Sequence, residues 1–556
     1  MTTSPVALQL IDVLREFGVD TVFGIPGGAI SGFYASLLAR PDVKIVTTRH
    51  ETGAAFMAIG YAMATGRPGV VVTTAGPGIT NALTGLASAY YEGVPLILLA
   101  GEVPRSAFGR GALQEGSAAA MDAVALTRRM TKFSAQVSRP GSAAAVLRKA
   151  LVTAYSGRQG PVFLSLPLDV VAVKQQPQPI FGTVRSSFDV DSSACKRALE
   201  LLEGARRPLL LAGAGARGTT SRRVIRRLAE YVGAPVAVTT KGKGVFPEDH
   251  PLYLGVLGFG GHDSVTDYLA EGVDVLLAMG TGLNDFTTNA WSPKLRAGRA
   301  FIQVDIDSAQ LGKNYPIELG LVGPIDAVVG RMLEHRTEDH AALPLPPGPT
   351  LRCQAPEASP RGALTSAEVA LTMNAVCPAD SVFTSDMGEH LSIALHYLRV
   401  REDGDFITCL GFGSMGSGLC AAVGYQLGAP ARRVYAICGD GGFLMFGGEL
   451  ATAVHHKVAT TFVIINDSRL NMVHHGMKDE YGATPDFTTP LIDFSMMAQG
   501  FGAAGRIVRT KEELIDALGA DHEGPAVLDV RIDPDVRLGG SQRVAALRQF
   551  KEQGDG

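Results

Sequence analysis

Val434-Tyr-Ala-Ile-Cys-Gly-Asp-Gly-Gly-Phe-Leu-Met445, carried on to Thr461-Phe-Val-Ile-Ile-Asn-Asp467, decides the fold. An apolar run, Val434 to Cys438, stops at Gly439-Asp440-Gly441. A helix-like segment, Gly447 to His456, leads to a second apolar run, Thr461 to Ile465, which stops at Asn466-Asp467. Short apolar runs bounded by turn residues predict a strand, a tight glycine turn, a crossover helix and a parallel strand. Asp440 and Asp467 then fall at the carboxyl ends of parallel strands, where open α/β sheets bind ligands. Two such carboxylates beside small residues suit Mg²⁺, which takes one or two carboxylates and completes its octahedron with phosphate and water. Gly439 and Gly441 let the backbone come close to a diphosphate.

The same alternation recurs on either side. Ser4-Pro5 predicts a helix start, Val6, Leu10, Ile11, Leu14 and Phe17 mark one helix face, and Gly18 stops it. Strand-like runs at 21–24, 45–48, 69–74 and 94–100 alternate with helical stretches. A middle segment opens with Pro208-Leu-Leu-Leu-Leu-Ala-Gly-Ala-Gly215, and a third unit runs from Thr365 to about residue 535. The predicted class is α/β, with three doubly wound parallel-sheet domains at 1–173, 190–337 and 362–538. Stretches around 174–192 and 338–362 read as linkers, and the polar tail 539–556 as a mobile flap or a disordered end.

A chain of 556 residues exceeds one core, and its 46% hydrophobic and 19% charged content is that of an ordinary soluble protein. The formal charge of −4 gives no polycationic surface and argues against a nucleic-acid partner. Six scattered cysteines, with no Cys-x-x-Cys pair, point to a reducing compartment. Asp12, Arg15 and Glu16 interrupt any signal peptide, and no apolar run is long enough to span a bilayer. The expected location is cytoplasmic.

Gly439-Asp440-Gly441 with Asn466-Asp467 resembles the Gly-Asp-Gly…Asn-Asn motif of the thiamine diphosphate (ThDP) enzymes. In that family the motif carries Mg²⁺ and the cofactor diphosphate. The resemblance implies Asp440, Asp467 and the main-chain carbonyl of Arg469 as metal ligands, with Asp467 standing where the family has Asn. Arg49-His50-Glu51-Thr-Gly-Ala54 resembles the family's His-Glu-x-Gly-Ala, whose glutamate hydrogen-bonds the aminopyrimidine ring and promotes loss of the thiazolium C2 proton. Ala54, Ala55, Phe56 and Met57 are expected to surround Glu51 with apolar groups. Further stretches are similar to the acetolactate synthase branch: Gly24-Ile-Pro-Gly-Gly28-Ala29, Thr74-Ala-Gly-Pro77-Gly-Ile-Thr-Asn81, Leu113-Gln114 and Gly413-Ser-Met415-Gly416. By that likeness Glu51 and Gln114 are catalytic. Gly28, Pro77, Asn81, Gly413, Met415, Gly439, Gly441, Gly442, Met445, Met472 and Val473 contact the cofactor, and Leu113, His474, His475 and Gly476 line the substrate pocket.

The likeness spans about residues 5–535 and implies decarboxylation of a 2-oxo acid, transfer of the acyl carbanion to an acceptor, and a homodimer or homotetramer in which Glu51 and the metal motif come from different subunits. Departures cluster away from the cofactor. Gly282-Leu-Asn-Asp-Phe286 replaces an arginine-bearing run, Phe259-Gly-Gly261 a Met-His-Gly loop, Leu168 a lysine, and Gly476 a pocket tryptophan. They count against FAD, although Gly213-Ala-Gly-Ala-Arg-Gly218 follows a strand, and Gly476 implies a larger or different acceptor. The paired histidines of simple pyruvate decarboxylases are missing between Arg105 and Gln114. Alternatives are a 2-oxo acid decarboxylase or aldehyde lyase without carboligation, a flavin-dependent oxidase of the same fold, and a relative without turnover, against which Glu51 and the two carboxylates argue.

Overall fold

The computed structural model describes residues 3–177, 188–337 and 350–539. The expectations for the cores of the two linkers and for the tail beyond Gly539 lie outside the described residues. Three six-stranded parallel sheets follow one another along the chain. The first contains β1 (Thr21–Gly24), β2 (Lys44–Thr47), β3 (Gly69–Thr73), β4 (Leu96–Glu102), β5 (Phe133–Gln136) and β6 (Val162–Pro167), in the order β2-β1-β3-β4-β6-β5. The central sheet contains β7 (Pro208–Ala212), β8 (Val236–Thr239), β9 (Tyr253–Leu257), β10 (Val275–Met279), β11 (Ala300–Asp305) and β12 (Leu319–Val322), ordered β9-β8-β7-β10-β11-β12. The third contains β13 (Val382–Ser385), β14 (Asp405–Ile407), β15 (Val434–Gly439), β16 (Thr461–Asn466), β17 (Ala504–Val508) and β18 (Ala526–Arg531), ordered β14-β13-β15-β16-β18-β17. First and third sheets thus share one topology without a visible sequence repeat. Strands such as Gly-Val-Val-Val-Thr of β3 are buried along their whole length, because helices cover both faces.

Seven helices position the site: α1 (Glu51–Thr65), α2 (Pro77–Glu92), α3 (Glu389–Tyr397), α4 (Ser417–Gly428), α5 (Asp440–Phe446), α6 (Leu450–His455) and α7 (Asn471–Tyr481). α1 and α4 are buried on nearly every side, as helices inside a core must be. They join the first domain to the third. A Cβ on Gly60 of α1 would lie 1.9 Å from the Ala421 carbonyl oxygen of α4, and one on Gly424 of α4 would lie 1.8 Å from the Met57 carbonyl oxygen of α1. The two backbones therefore touch at reciprocal glycines, a spacing that permits Cα–H···O contacts. One apolar cluster runs through both domains, from Phe56 and Leu86 to Leu419, Phe443 and Phe462.

Two local expectations are corrected. The segment after β15 does not begin with a free glycine turn: Gly439 is the last strand residue, and Asp440, Gly441 and Gly442 form the first turn of α5, with α6 completing the crossover. Packing overrides the poor helix propensity of the glycines here. Ser4 does not cap the first helix; Ser4 and Pro5 pair with Lys174 and Gln175 in a two-residue antiparallel ladder. Gly213 and Gly215 serve a close approach of two loops, since a Cβ on either would meet Gly280 backbone at 2.4 and 2.9 Å. Arg217 of that turn reaches the third domain, donating to the Phe406 carbonyl at 2.5 Å. No helix among the described residues is long and apolar enough to cross a membrane.

Candidate active site

Three carboxylates follow the ends of three neighbouring strands of the third sheet: Asp386 after β13, Asp440 after β15 and Asp467 after β16. Asp440 accepts from the Gly441 N–H at 2.9 Å and from the Thr489 hydroxyl at 3.2 Å. Asp467 accepts from the Arg469 N–H at 3.1 Å and from the Asn471 amide. Ser468, with φ of 54°, turns the chain left-handed between them. Burial first, and the neighbouring charge of Asp440 second, push the Asp467 carboxyl up to about 7, and burial raises Asp440 as well. A buried carboxylate and a half-buried one that repel each other form a place for a cation. Among the described residues no cluster of three or more acidic, His or Cys side chains offers a complete metal cage.

Asp386 organises the glycine turn beside them. It is fully buried, accepts from the N–H groups of Gly416 at 2.7 Å and Gly418 at 3.1 Å, and is pushed up to about 6 by burial against those bonds. Gly413 and Gly416 are left-handed, at φ of 76° and 82°. A Cβ on Gly416 would lie 2.1 Å from the Phe446 ring, and one on Gly442 would lie 2.2 Å from Asp386 Oδ2. Met415 projects from this turn toward Gly441, where an added Cβ would meet its methyl at 3.2 Å. His390 packs against Gly439, is held at about 4 by burial, and has a buried Nε2 without a partner among the described residues.

Glu51 opens α1 in the first domain, whose start is capped by His50 Nδ1 accepting from the Thr52 N–H at 3.1 Å. Its carboxylate accepts from Asn81 Nδ2 of α2 at 3.0 Å, and Ala54 to Met57 behind it are all buried. Pro77 is the first residue of α2, and Gly28 begins a single 3₁₀ turn with open space where a side chain would stand. Gln114 adopts φ of 64° against Gly76, its Oε1 3.5 Å from the Thr74 hydroxyl. Glu449, between α5 and α6, accepts from the backbone N–H groups of Arg49 at 3.0 Å and His50 at 2.8 Å. A buried carboxylate of the third domain thereby anchors the segment that carries Glu51.

A cavity of about 250 Å³ lies between the third and central domains. One face of α7 lines it with Met472, His475, Gly476 and Asp479, and α3 adds Glu389 and Ser392. Phe259 to Gly261 form part of the opposite wall. His474 and Leu113, expected in the pocket, do not line this cavity; Leu113 is 86% exposed. Met445 is 60% exposed, and Val473 is exposed as well. Asp386, Glu389, His390 and Glu449 were not singled out from the sequence. The first three were within reach, because β13 ends in Ser385-Asp-Met-Gly-Glu-His390, another apolar run closing on a carboxylate and a glycine.

Three family models match consecutive parts of the chain: the N-terminal TPP-binding domain of thiamine pyrophosphate enzymes over residues 5–126, their central domain over 195–332 and their C-terminal TPP-binding domain over 386–530. The chain belongs to the thiamine pyrophosphate enzyme family. Within it, the acetolactate synthase large subunit of Parasynechococcus marenigrum is 34% identical over 96% of this chain and 88% of that protein. The isozyme 2 large subunit of Escherichia coli acetolactate synthase is 32% identical over 95% of each. Among solved structures, a Rhodococcus jostii ThDP-dependent 4-hydroxybenzoylformate decarboxylase superposes with a TM-score of 0.85 at 26% identity, over 95% of this chain and 99% of that one. A ThDP-dependent enzyme from Mycobacterium smegmatis superposes at 0.82 with 28% identity, over 96% and 100%. The chain is therefore a ThDP-dependent enzyme of the acetolactate synthase-like branch.

Proposed function

We propose that the chain decarboxylates a 2-oxo acid and joins the remaining carbon unit to a second carbonyl compound, using ThDP and Mg²⁺. The observation that carries this is the pair of mutually repelling carboxylates, buried Asp440 and half-buried Asp467, beside the Nε2 of His390, which has no partner among the described residues. These groups fit a divalent cation holding a diphosphate: two hard oxygens for the metal, completed by the Arg469 carbonyl and phosphate oxygens, and an imidazole that donates to phosphate when it carries its second proton. When bound, ThDP supplies the electron sink for breaking and making a bond at a carbonyl carbon. Glu51 holds a proton at the aminopyrimidine ring, Asn81 fixes the Glu51 carboxylate, Gln114 faces the reacting end, and Met415 with Met445, Met472 and Val473 gives the cofactor apolar support. FAD has no role in this reading, because the Gly213–Gly218 turn is accounted for by packing.

The exposed apolar side chains Leu113, Phe412, Leu444, Met445 and Val473 support a homodimer, or a tetramer built from it, in which a second copy covers this surface and supplies the other half of each site. Calorimetry of ThDP binding tests the cofactor site. Binding is expected to need Mg²⁺, to survive Asp467→Asn and to be largely lost in Asp467→Ala. Glu51→Gln is expected to bind ThDP but to exchange its C2 proton about 10²-fold more slowly or worse. Unaltered affinity in Asp467→Ala removes Asp467 from the site. A panel of 2-oxo acids, followed for CO₂ and for ligated products, tests the reaction. The likeness to the Rhodococcus decarboxylase favours one second reading, decarboxylation without ligation, in which CO₂ appears with the simple aldehyde alone.

A further inference from the structure

The cavity between α3, α7 and the central domain contains an imidazole held on one side and open on the other. His475 Nδ1 lies 2.9 and 3.1 Å from the two carboxylate oxygens of Glu389. A carboxylate only accepts, so Nδ1 carries the proton and donates it. That fixes the tautomer of the neutral ring and leaves the Nε2 lone pair as its base. No described residue hydrogen-bonds Nε2, and the ring lines the cavity. Helix geometry separates it from its neighbour: positions 472, 475, 476 and 479 share one face of α7, and His474 falls outside it. Beside the ring the wall recedes, because a Cβ on Gly476 would meet nothing within 4 Å.

The charged groups around His475 come from four elements. Glu389 comes from α3, Asp263 from the central domain, Asp479 from the next turn of α7 and Arg537 from the C-terminal segment. Arg537 is engaged by Asp479 in a two-point pair at 2.7 and 2.8 Å. The wall thus presents more carboxylates than cations, which disfavours a second carboxylate in the cavity and favours an uncharged guest.

We propose that His475, positioned by Glu389, is the acid–base residue for the carbonyl oxygen of an uncharged aldehyde or ketone acceptor bound in this cavity. The proposal rests on the ligation reading above. As the nucleophilic carbon of the donor forms one new C–C bond to the acceptor carbon, the C=O π pair moves onto oxygen. The donor's own hydroxyl, which becomes the ketone of the product, gives its proton to the Nε2 lone pair, and from Nε2 that proton passes to the acceptor oxygen. One proton enters the ring and one leaves it, and no oxidant or reductant is consumed.

The test uses the Mg²⁺–ThDP holoenzyme, the most active 2-oxo acid of the panel as donor and propanal as acceptor, with melting temperature reporting the fold of each variant. His475→Gln is expected to lose about 10²-fold in ligation rate and to flatten its pH profile. Glu389→Ala is expected to lose activity in the same direction, and Glu389→Gln, whose amide oxygen still accepts from Nδ1, to recover most of it. Nitrogen NMR of the cofactor-free protein reads the positioning directly. The Nδ1–H tautomer of His475 is expected in wild type and Glu389→Gln, and the Nε2–H tautomer in Glu389→Ala. A wild-type ring protonated on Nε2 overturns the proposal, as does ligation by His475→Gln at the wild-type rate with an unchanged pH profile. Wild-type protein that turns over no 2-oxo acid removes the function reading and this proposal together, whereas wild-type turnover with an unaffected His475→Gln removes this proposal alone.

Discussion

His390 carries a pH signature that belongs to a single residue. Burial holds it at about 4, below its ordinary value near 6.5, so between those values the unfolded chain binds the proton and the folded chain does not. Its contribution to stability is complete above about pH 6.5 and is lost as the pH falls toward 4, by at most about 3 kcal/mol. Asp386, pushed up to about 6, works in the opposite sense over an overlapping range, so only a difference isolates the imidazole. Between pH 7 and pH 4, cofactor-free wild type is expected to lose about 3 kcal/mol relative to His390→Asn, measured by urea unfolding of both. A difference that stays constant with pH would show that the ring titrates in the folded protein as it does in the unfolded chain. At this scale the sequence is legible where a residue's neighbours in the chain announce its place. Asp440 and Asp467 close apolar runs and were readable from that alone, whereas Glu51 needed the resemblance. His474 and His475 looked equivalent, because the partner that distinguishes them, Glu389, lies 86 positions away. Glu449 and the Arg49 amide it holds are 400 positions apart, beyond any local pattern.

Among the elements, the α1–α4 crossing sets the tightest constraint. At Gly60 and Gly424 a methyl group would meet carbonyl oxygen at under 2 Å, with backbone rather than flexible side chain in its way. Gly60→Ala is expected to destabilise the protein by about 3 kcal/mol or more, although alanine is the better helix former by about 1 kcal/mol. Melting temperature and urea midpoint of the variant check this. An unchanged or raised stability would mean that the helices separate at little cost. Helical stretches could be recognised from their apolar content, but not this crossing, since a glycine within a helix says nothing about which backbone approaches it. The start of α5 was misplaced for a related reason: Gly441 and Gly442 look like turn residues until Asp386, packed against Gly442, shows why no side chain fits there.

For the whole molecule, α/β alternation made three parallel sheets legible, while strand order was not, because crossover lengths do not reveal on which side of the sheet each strand is added. The shared order of the first and third sheets is thus a property of the fold without a counterpart in visible sequence similarity. A subunit-mixing experiment belongs to this scale. Glu51→Gln and Asp440→Ala chains, each inactive alone, are expected to regain about a quarter of wild-type activity after random re-assortment, since half of the dimers are mixed and each mixed dimer keeps one intact site. Failure to complement, with subunit exchange shown by mass, would place Glu51 and Asp440 of one site in the same chain. A last consequence comes from the continuity of residues 467–479. Asp467, the Arg469 turn tied to Pro534 and Asp535, and the first turn of α7 form one unbroken segment, so fixing Asp467 also fixes where Met472 and His475 stand. On the proposed reading, in which Asp467 holds Mg²⁺, the metal is expected to bind before the substrate chamber takes its final shape, so Mg²⁺ added last should produce a lag before steady turnover, and the apparent substrate KM should fall as Mg²⁺ rises.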